Sequence, residues 1–199
     1  MNTSFFAPEE LAALGFKDCG KHVLVSRKAS FYGIGEISLG DHVRIDDFCI
    51  LSGKIRIGSY VHLAAGVMLF AGTAGITFED FTTISSRGAV YAMTDDYSGA
   101  HMTNPTIPQK YSGVTGEPVR ICRHCIIGTG CTVLPGVTLG EGCSVGAMSL
   151  ISSSTEPWGM YMGIPAVRIK ERSRALLEQF SELEAERARE ALTESADER

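Results

Sequence analysis

The side chains best suited to proton transfer in this sequence are its histidines. An imidazole with a pKa of about 6.5 is mostly neutral at pH 7 and accepts a proton. The histidines lie at His22, His42, His62, His101 and His124. An aspartate that orients a histidine ring makes the pair a general base, worth about 10²–10⁴ in rate. The acidic pair Asp95–Asp96 precedes His101 closely, so the candidate catalytic residues are His62, Asp95, Asp96 and His101.

These candidates must be positioned by the element that dominates the chain, a six-residue repeat over residues 119–153. Large aliphatic residues recur every six positions, at Ile121, Ile127, Val133, Leu139, Val145 and Ile151. A compact residue stands two positions before each, at Val119, Cys125, Cys131, Val137, Cys143 and Ser149. A period of six fits neither a helix nor a long strand, and it predicts very short strands joined by tight corners. Such units bury a core only when they stack into a solenoid.

The repeat extends toward the N-terminus with two interruptions. It begins weakly at Val25, shifts phase near Gly33–Gly35, and runs regularly from Leu39 to Leu69. The insertion AGTAG (71–75) precedes its next section. Glycine-rich insertions of this kind are typical of corners where the chain leaves the solenoid and returns.

The cysteines are explained by the same repeat. Cys122 and Cys125 enclose His124 in the sequence CRHC, which suggests zinc or redox chemistry, yet no second CxxC completes a tetrahedral site. A thiol at the compact inward position packs as a small hydrophobe. Four of the six cysteines occupy that position: Cys49, Cys125, Cys131 and Cys143. We therefore expect structural packing and no metal.

Three segments lie outside the repeat. Residues 93–118 have no periodicity and contain three prolines and three glycines, which predicts a long loop excursion from a continuous solenoid. Helical patterns are predicted for residues 4–15 and from Lys170 onward. The expected boundaries are 1–22 for an N-terminal helical cap, 23–153 for the β-helix with its excursion, and 154–199 for a C-terminal extension and helix.

Charge and hydropathy exclude several classes of protein. The formal net charge is −5, and residues 171–199, with nine acidic residues and five arginines, contribute most of it. The nearly neutral remainder argues against nucleic-acid binding. No apolar run approaches the roughly 20 residues of a membrane span, and no basic-then-apolar signal peptide opens the sequence. We expect a cytoplasmic protein without membrane insertion.

The repeat and the ending GIPAVRIKER (163–172) resemble the hexapeptide-repeat acyltransferases, in particular the galactoside, maltose and polysaccharide O-acetyltransferases. The resemblance covers about residues 23–172. It implies an all-β fold, a left-handed parallel β-helix, assembled as a homotrimer with sites between subunits. It also implies acetyl-CoA as co-substrate, no metal, and transfer of an acetyl group to a sugar or sugar-derived acceptor, with a role in surface-polysaccharide biosynthesis.

The resemblance also implies a base. In that family a loop histidine acts as general base on a sugar hydroxyl. Here the loop carries Asp95 and Asp96 at that place, so the base is left open between His62 and His101. We prefer His62, because we expect it on the rigid repeat beside the mouth of the excursion.

For the acyl donor, the family's Gly-x-Pro-Ala…Ile-Lys ending implies that basic side chains meet the coenzyme's phosphates. Arg168 and Lys170 occupy these positions, with Lys170 the better match. By the same resemblance, Thr129 and Ala147 fall where later coils line the pantetheine groove.

Three other functions compete with sugar O-acetylation. The first is an N-acetyltransferase on a nucleotide-linked amino sugar, which would need less help from a base. The second is a zinc enzyme like the β-helical carbonic anhydrases, which needs converging histidines that this spacing does not provide. The third is a non-catalytic trimeric scaffold, which would not bind CoA.

Overall fold

The structure is a computed structural model that describes residues 4–197. Its two α-helices are α1 (Pro8–Ala13) and α2 (Leu176–Asp197). Short 3₁₀ turns occur at Ile34–Glu36 and Gln109–Tyr111. The strands in chain order are β1 (Asp18–Cys19), β2 (Leu24–Val25), β3 (Ser30–Tyr32), β4 (Ile37–Leu39), β5 (Arg44–Ile45), β6 (Ile50–Ile57), β7 (His62–Leu63), β8 (Met68–Phe78), β9 (Thr83–Ile84), β10 (Ala89–Tyr91), β11 (Met93–Thr94), β12 (Thr115–Gly116), β13 (Val119–Ile121), β14 (Ile126–Ile127), β15 (Thr132–Val133), β16 (Thr138–Leu139), β17 (Ser144–Val145), β18 (Leu150–Ile151), β19 (Gly159–Gly163) and β20 (Ala166–Glu171).

The predicted parallel β-helix is confirmed. Most strands are two or three residues long, and those of the solenoid pair in parallel with strands of neighbouring coils. Among the strands of residues 4–197, only β11 with β12 and β19 with β20 form antiparallel pairs. In the regular coils Arg44 lies beside His62, and Ile126 lies beside Ser144, so one coil consumes three hexapeptides. The chain completes about seven coils in this way.

Each coil contributes to three faces, which we number in the order the chain reaches them. Face 1 contains β1, β4, β13 and β16 with the C-terminal halves of β6 and β8. Face 2 contains β2, β5, β7, β9, β14, β17 and β19. Face 3 contains β3, β10, β15 and β18 with the N-terminal halves of β6 and β8. β6 and β8 are long because they continue around the corner from face 3 to face 1.

The core is the inward column of the repeat. The six aliphatic residues predicted from 119–153 are at most 4% exposed, and their compact partners are equally buried. All six cysteines are free thiols, and the four in the compact position are buried. The Cys131 thiol, for example, lies 3.0 Å from the carbonyl oxygen of Gly146 in the next coil.

The corner between faces 1 and 2 carries a column of stacked rings. Successive coils place a residue with φ of 55° to 61° there: His22, His42, Tyr60, Phe81, His124 and Trp158. Left-handed backbone is costly for residues with a side chain, and here neighbouring rings stack at 4.5–5.5 Å through His124. Helix α2 covers the column, with Phe180 against Phe81 and Arg187 over Tyr60. Three of the five histidines are therefore part of this stack.

Both ends of the chain differ from the sequence expectation. Helix α1 is shorter than residues 4–15, and the chain turns at Gly15 with φ +90°. Residues after Ser153 do not leave the solenoid at once, because β19 pairs in parallel with β17 as part of a further coil. The segment from Lys170 is strand β20, antiparallel to β19, and the helix begins later. Within residues 4–197, neither helix combines the length and apolar character needed to span a membrane.

The excursion is an ordered loop with a narrow neck. It leaves the solenoid after β10, where β11 and β12 pair in antiparallel fashion, and it rejoins face 1 at β13. Gly72 approaches the Met93 side chain closely, since a Cβ on Gly72 would lie 2.4 Å from the Met93 Cγ. The excursion thus emerges at the corner between faces 3 and 1.

The alternation of buried and exposed positions predicts a matched pair of effects in β14. Ile127 is fully buried and Ile126 is 39% exposed. We expect Ile127→Ala to lower the free energy of unfolding by about 2–5 kcal/mol, through lost burial and the cavity left behind. Ile126→Ala should cost about 1 kcal/mol or less. Urea unfolding at one protein concentration measures both, and equal losses would contradict the assignment of inward and outward positions.

Candidate active site

The two aspartates of the excursion have different roles. The Asp96 carboxylate accepts the backbone N–H of Ser98 at 2.7 Å and that of His101 at 2.9 Å. The His101 Nδ1 lies 2.9 Å from the same carboxylate. Hydrogen bonds from Ser98 and then His101 hold the pKa of Asp96 well below its usual range. The Asp96–His101 pair therefore fixes the shape of the loop.

The Asp95 carboxylate, in contrast, is available for chemistry. Among residues 4–197 it has no hydrogen-bond or ion-pair partner, and the residue is half-buried. It lines a cavity of about 350 Å³ inside the excursion and a larger cleft of about 780 Å³ at the neck. A half-buried carboxylate that has no partner among residues 4–197 can accept hydrogen bonds from a bound amine or cation.

The larger cleft, which we call the neck cleft, lies between the excursion and face 3. Its face-3 wall carries Tyr91, Thr132 and Ser152 from three successive coils, and Tyr97 and Glu117 complete it from the excursion. The Tyr91 ring stacks on Phe70 at 5.2 Å, which keeps the wall in place. These residues were missed by sequence reasoning, although their outward phase next to the excursion was a usable signal.

His62 is placed differently from our expectation. It lies on face 2, where its Nε2 is 2.8 Å from a carboxylate oxygen of Asp46. Asp46 also accepts a hydrogen bond from Arg44 at 2.7 Å, and these bonds outweigh burial and lower the Asp46 pKa. The excursion leaves from the corner opposite face 2. Within one chain, His62 is therefore not beside the mouth of the excursion and does not pair with Asp95 or Asp96.

The predicted donor residues Thr129 and Ala147 lie together at the corner between faces 2 and 3. The Thr129 carbonyl accepts the N–H of Met148 at 2.8 Å, which stacks consecutive coils, and Ala147 is exposed. Gly128 makes this close stacking possible, since a Cβ there would lie 2.6 Å from the Ala147 nitrogen. Ser86, one coil earlier, faces Thr129 at 3.4 Å between hydroxyl oxygens. We call Ser86, Thr129 and Ala147 the corner row.

The basic residues of the C-terminal hairpin divide into two kinds. Arg168 and Lys170 are exposed on β20, where Arg168 pairs with Glu171 and Lys170 has no ion pair with any described residue. Arg172 instead donates to the carbonyl oxygens of His124 at 2.7 Å and Gly142 at 2.9 Å. Arg172 thus holds the hairpin to the ring column. Over residues 4–197, no cluster of three His, Cys, Asp or Glu side chains could hold a metal ion.

Comparison with known proteins identifies the family. Residues 118–153 match the family model described as bacterial transferase hexapeptide (six repeats). The dTDP-4-amino-4,6-dideoxy-D-glucose acyltransferase of Escherichia coli is 44% identical over 172 residues, covering 85% of this chain and 89% of that protein. The chain belongs to the hexapeptide-repeat acyltransferases. The predicted family and enzyme class are thereby confirmed.

Two solved structures show different degrees of similarity to this chain. AntD, an N-acyltransferase from Bacillus cereus solved with dTDP and 3-hydroxybutyryl-CoA, is 47% identical, with a TM-score of 0.91 over 94% of this chain and 99% of AntD. A maltose O-acetyltransferase from Clostridium difficile 630 is 19% identical, with a TM-score of 0.54 over 83% of this chain and 75% of that chain. The maltose enzyme shares the fold alone.

The contrast between the two aspartates predicts different effects on the loop. Asp96→Asn weakens the acceptor for the amides of Ser98 and His101, so these amides should exchange hydrogen faster. Asp95→Asn, the matched control, should leave their exchange unchanged. Because the Asp96 pKa is lowered, wild-type protection should persist as the pH falls through about 3.9, the ordinary value for aspartate. Hydrogen exchange measured by mass spectrometry tests this, and unaltered exchange in Asp96→Asn would refute the role.

Proposed function

We propose that this enzyme transfers an acyl group from coenzyme A to the amino group of a dTDP-linked 4-amino-4,6-dideoxy sugar. Its E. coli relative is named for such an acceptor, and a variant of AntD was solved with dTDP-4-amino-4,6-dideoxyglucose and coenzyme A. The observation that carries the proposal is the Asp95 carboxylate in the neck cleft, which has no hydrogen-bond or ion-pair partner within residues 4–197. The alternative of N-acylation therefore replaces sugar O-acetylation as the preferred function.

The chemistry of amine acylation suits a carboxylate. The neutral amine attacks the thioester carbonyl, so a C–N bond forms and the C–S bond breaks. The amine loses one proton, and the departing CoA sulfur gains one. Asp95 holds the amine by a charge-assisted hydrogen bond and accepts its proton as the C–N bond forms. A sugar hydroxyl is far less acidic than an ammonium ion and would need a stronger base.

The proposed acyl donor lies along the corner row and the β19–β20 hairpin. Ala147 is exposed and Thr129 is half-buried, so the corner row is accessible to the pantetheine arm. Lys170, which has no ion pair within the described part of the chain, is the preferred phosphate ligand. Arg168 is the weaker candidate, because Glu171 already neutralises it.

The active unit proposed is the homotrimer, with sites between subunits. Apolar side chains exposed on the excursion support this arrangement, since a neighbouring subunit would cover them. Tyr97 is 93% exposed, and Met102 and Tyr111 are at least half exposed.

A cytoplasmic location and a role in surface-polysaccharide biosynthesis, to which nucleotide amino sugars are suited, belong to the same proposal.

A panel of acceptors tests the proposed reaction. We expect release of free CoA from acetyl-CoA with dTDP-4-amino-4,6-dideoxyglucose, and little release with dTDP-glucose or maltose, which offer only hydroxyl groups. The free thiol is measured by a chromogenic disulfide. Turnover of maltose at a rate equal to that of the amino sugar would overturn the proposal in favour of O-acetylation.

Variants of Asp95 and His62 test which side chain acts as the base. Asp95→Asn keeps the shape of the side chain but removes its basicity, so kcat should fall about 10²–10⁴-fold. His62→Ala should retain nearly full turnover, because His62 is bonded to Asp46 on another face. Near-normal kcat in Asp95→Asn together with a large loss in His62→Ala would show that the base is His62.

A further inference from the structure

The last regular coil contains an unusual member of the compact inward column. Of the six compact positions in 119–153, five hold valine or cysteine and one holds Ser149. Ser149 is only 2% exposed, and its hydroxyl both donates and accepts a hydrogen bond. The hydroxyl donates to the carbonyl oxygen of Gly146 at 2.7 Å and accepts the backbone N–H of Gly163 at 3.0 Å. A valine would provide neither bond, and a thiol is a weak acceptor.

The bond to Gly163 joins the coils to the C-terminal hairpin at a critical point. Gly163 is the last residue of β19 and has φ +108°, a conformation that favours glycine. It opens the turn through Ile164 and Pro165 that leads into β20. The turn itself is exposed, with Ile164 74% accessible, and the bond from Gly163 to Ser149 ties its first residue to the coils.

The second hydrogen bond of Ser149 connects it to the corner that carries the corner row. Ala147 and Met148 immediately precede it and are both exposed, while the Gly146 carbonyl that accepts its hydroxyl proton begins the same corner. Gly146 also donates its N–H to the carbonyl of Tyr161 at 2.8 Å. The buried Ser149 hydroxyl thus adds a bond between the hairpin turn and the corner that carries Ala147, beyond the end of the β17–β19 backbone pairing.

We infer that Ser149 is a positioning residue of the acyl-CoA groove, which it shapes from below by fixing the hairpin turn against the corner row. This inference rests on the proposed function, because the groove is the proposed donor site. Ser149 is buried beneath the corner and does not itself reach the coenzyme. Its contribution is to the affinity for CoA and not to the chemical step.

Threonine and valine at position 149 separate the hydroxyl from the volume of the side chain. Threonine and valine are both branched at Cβ, and the equivalent inward position of an earlier coil holds the buried Val67, so this column accepts a branched side chain. Only threonine keeps the hydroxyl. Ser149→Val removes both hydrogen bonds, and we expect it to weaken CoA binding about five- to tenfold through the lost tie to Gly163, whose net contribution is that of a typical hydrogen bond. Ser149→Thr should bind CoA nearly as the wild type does, and kcat at saturating acyl-CoA should be similar in both variants. Calorimetric titration with CoA gives the Kd values.

Two further variants make the test specific. Cys49→Val removes a buried S–H donor from the same column, 3.2 Å from the Ala64 carbonyl oxygen, but far from the hairpin, so CoA affinity should not change. Ser149→Ala removes the hydroxyl without adding volume and should weaken CoA binding as valine does. The amide of Gly163 should also exchange hydrogen faster in Ser149→Val than in Ser149→Thr.

The outcomes distinguish this inference from the proposed function. If the wild type binds CoA but the threonine and valine variants bind it equally well, the positioning role is wrong and the proposed function stands. If the wild type fails to bind CoA at millimolar concentration, both are overturned. A selective loss in the valine and alanine variants supports the role of Ser149.

Discussion

Parallel pairing between successive coils is the constraint on which the structure depends. The short strands of the solenoid hydrogen-bond to the equivalent strands of neighbouring coils, and each coil buries the same few positions. A two-residue strand has almost no stability alone, so the stack of inward aliphatic residues stabilises the whole chain cooperatively. Because the core is closed and fully packed, chemistry is restricted to the corners, the outward faces and the excursion.

The three corners of the solenoid differ from one another in the residues that they carry. One corner carries the ring column that helix α2 covers, and this accounts for three of the five histidines. A second corner carries Thr129 and Ala147 beside the C-terminal hairpin. The third releases the excursion. A single coil geometry thereby separates a structural corner, a proposed donor corner and a proposed acceptor corner around the same core.

The sequence was sufficient to predict the β-helix, because a period of six fixes both strand length and the inward positions. Ile127 and Cys131 are buried as the repeat required. The sequence was not sufficient to predict side-chain contacts that depend on how the coils stack and how the loop folds. Asp95 and Asp96 are adjacent and chemically identical, and only the loop conformation shows that Asp96 is bonded while Asp95 faces the cleft. The pairing of His62 with Asp46 depends on coil register, which the pattern alone did not reveal for side chains on an outward face.

The C-terminal end of the solenoid also could not be predicted from the side-chain pattern alone. The pattern of large aliphatic residues stops after Ile151, yet Gly159–Gly163 pairs with β17 through backbone hydrogen bonds that need no such residues. The helical pattern predicted from Lys170 overlaps the end of strand β20, because the basic and apolar residues of GIPAVRIKER fit both patterns. Backbone pairing, which depends on no particular side chain, was the missing information.

The proposed reaction requires that Asp95, in the neck cleft, faces the reacting amine. The most direct measurement is a crystal structure of the protein with CoA and dTDP-4-amino-4,6-dideoxyglucose. We expect the amino nitrogen within hydrogen-bond reach of the Asp95 carboxylate, about 2.6–3.2 Å, with the CoA sulfur beside it. A sugar bound elsewhere, or an amine directed at His62 with Asp95 facing solvent, would contradict the account.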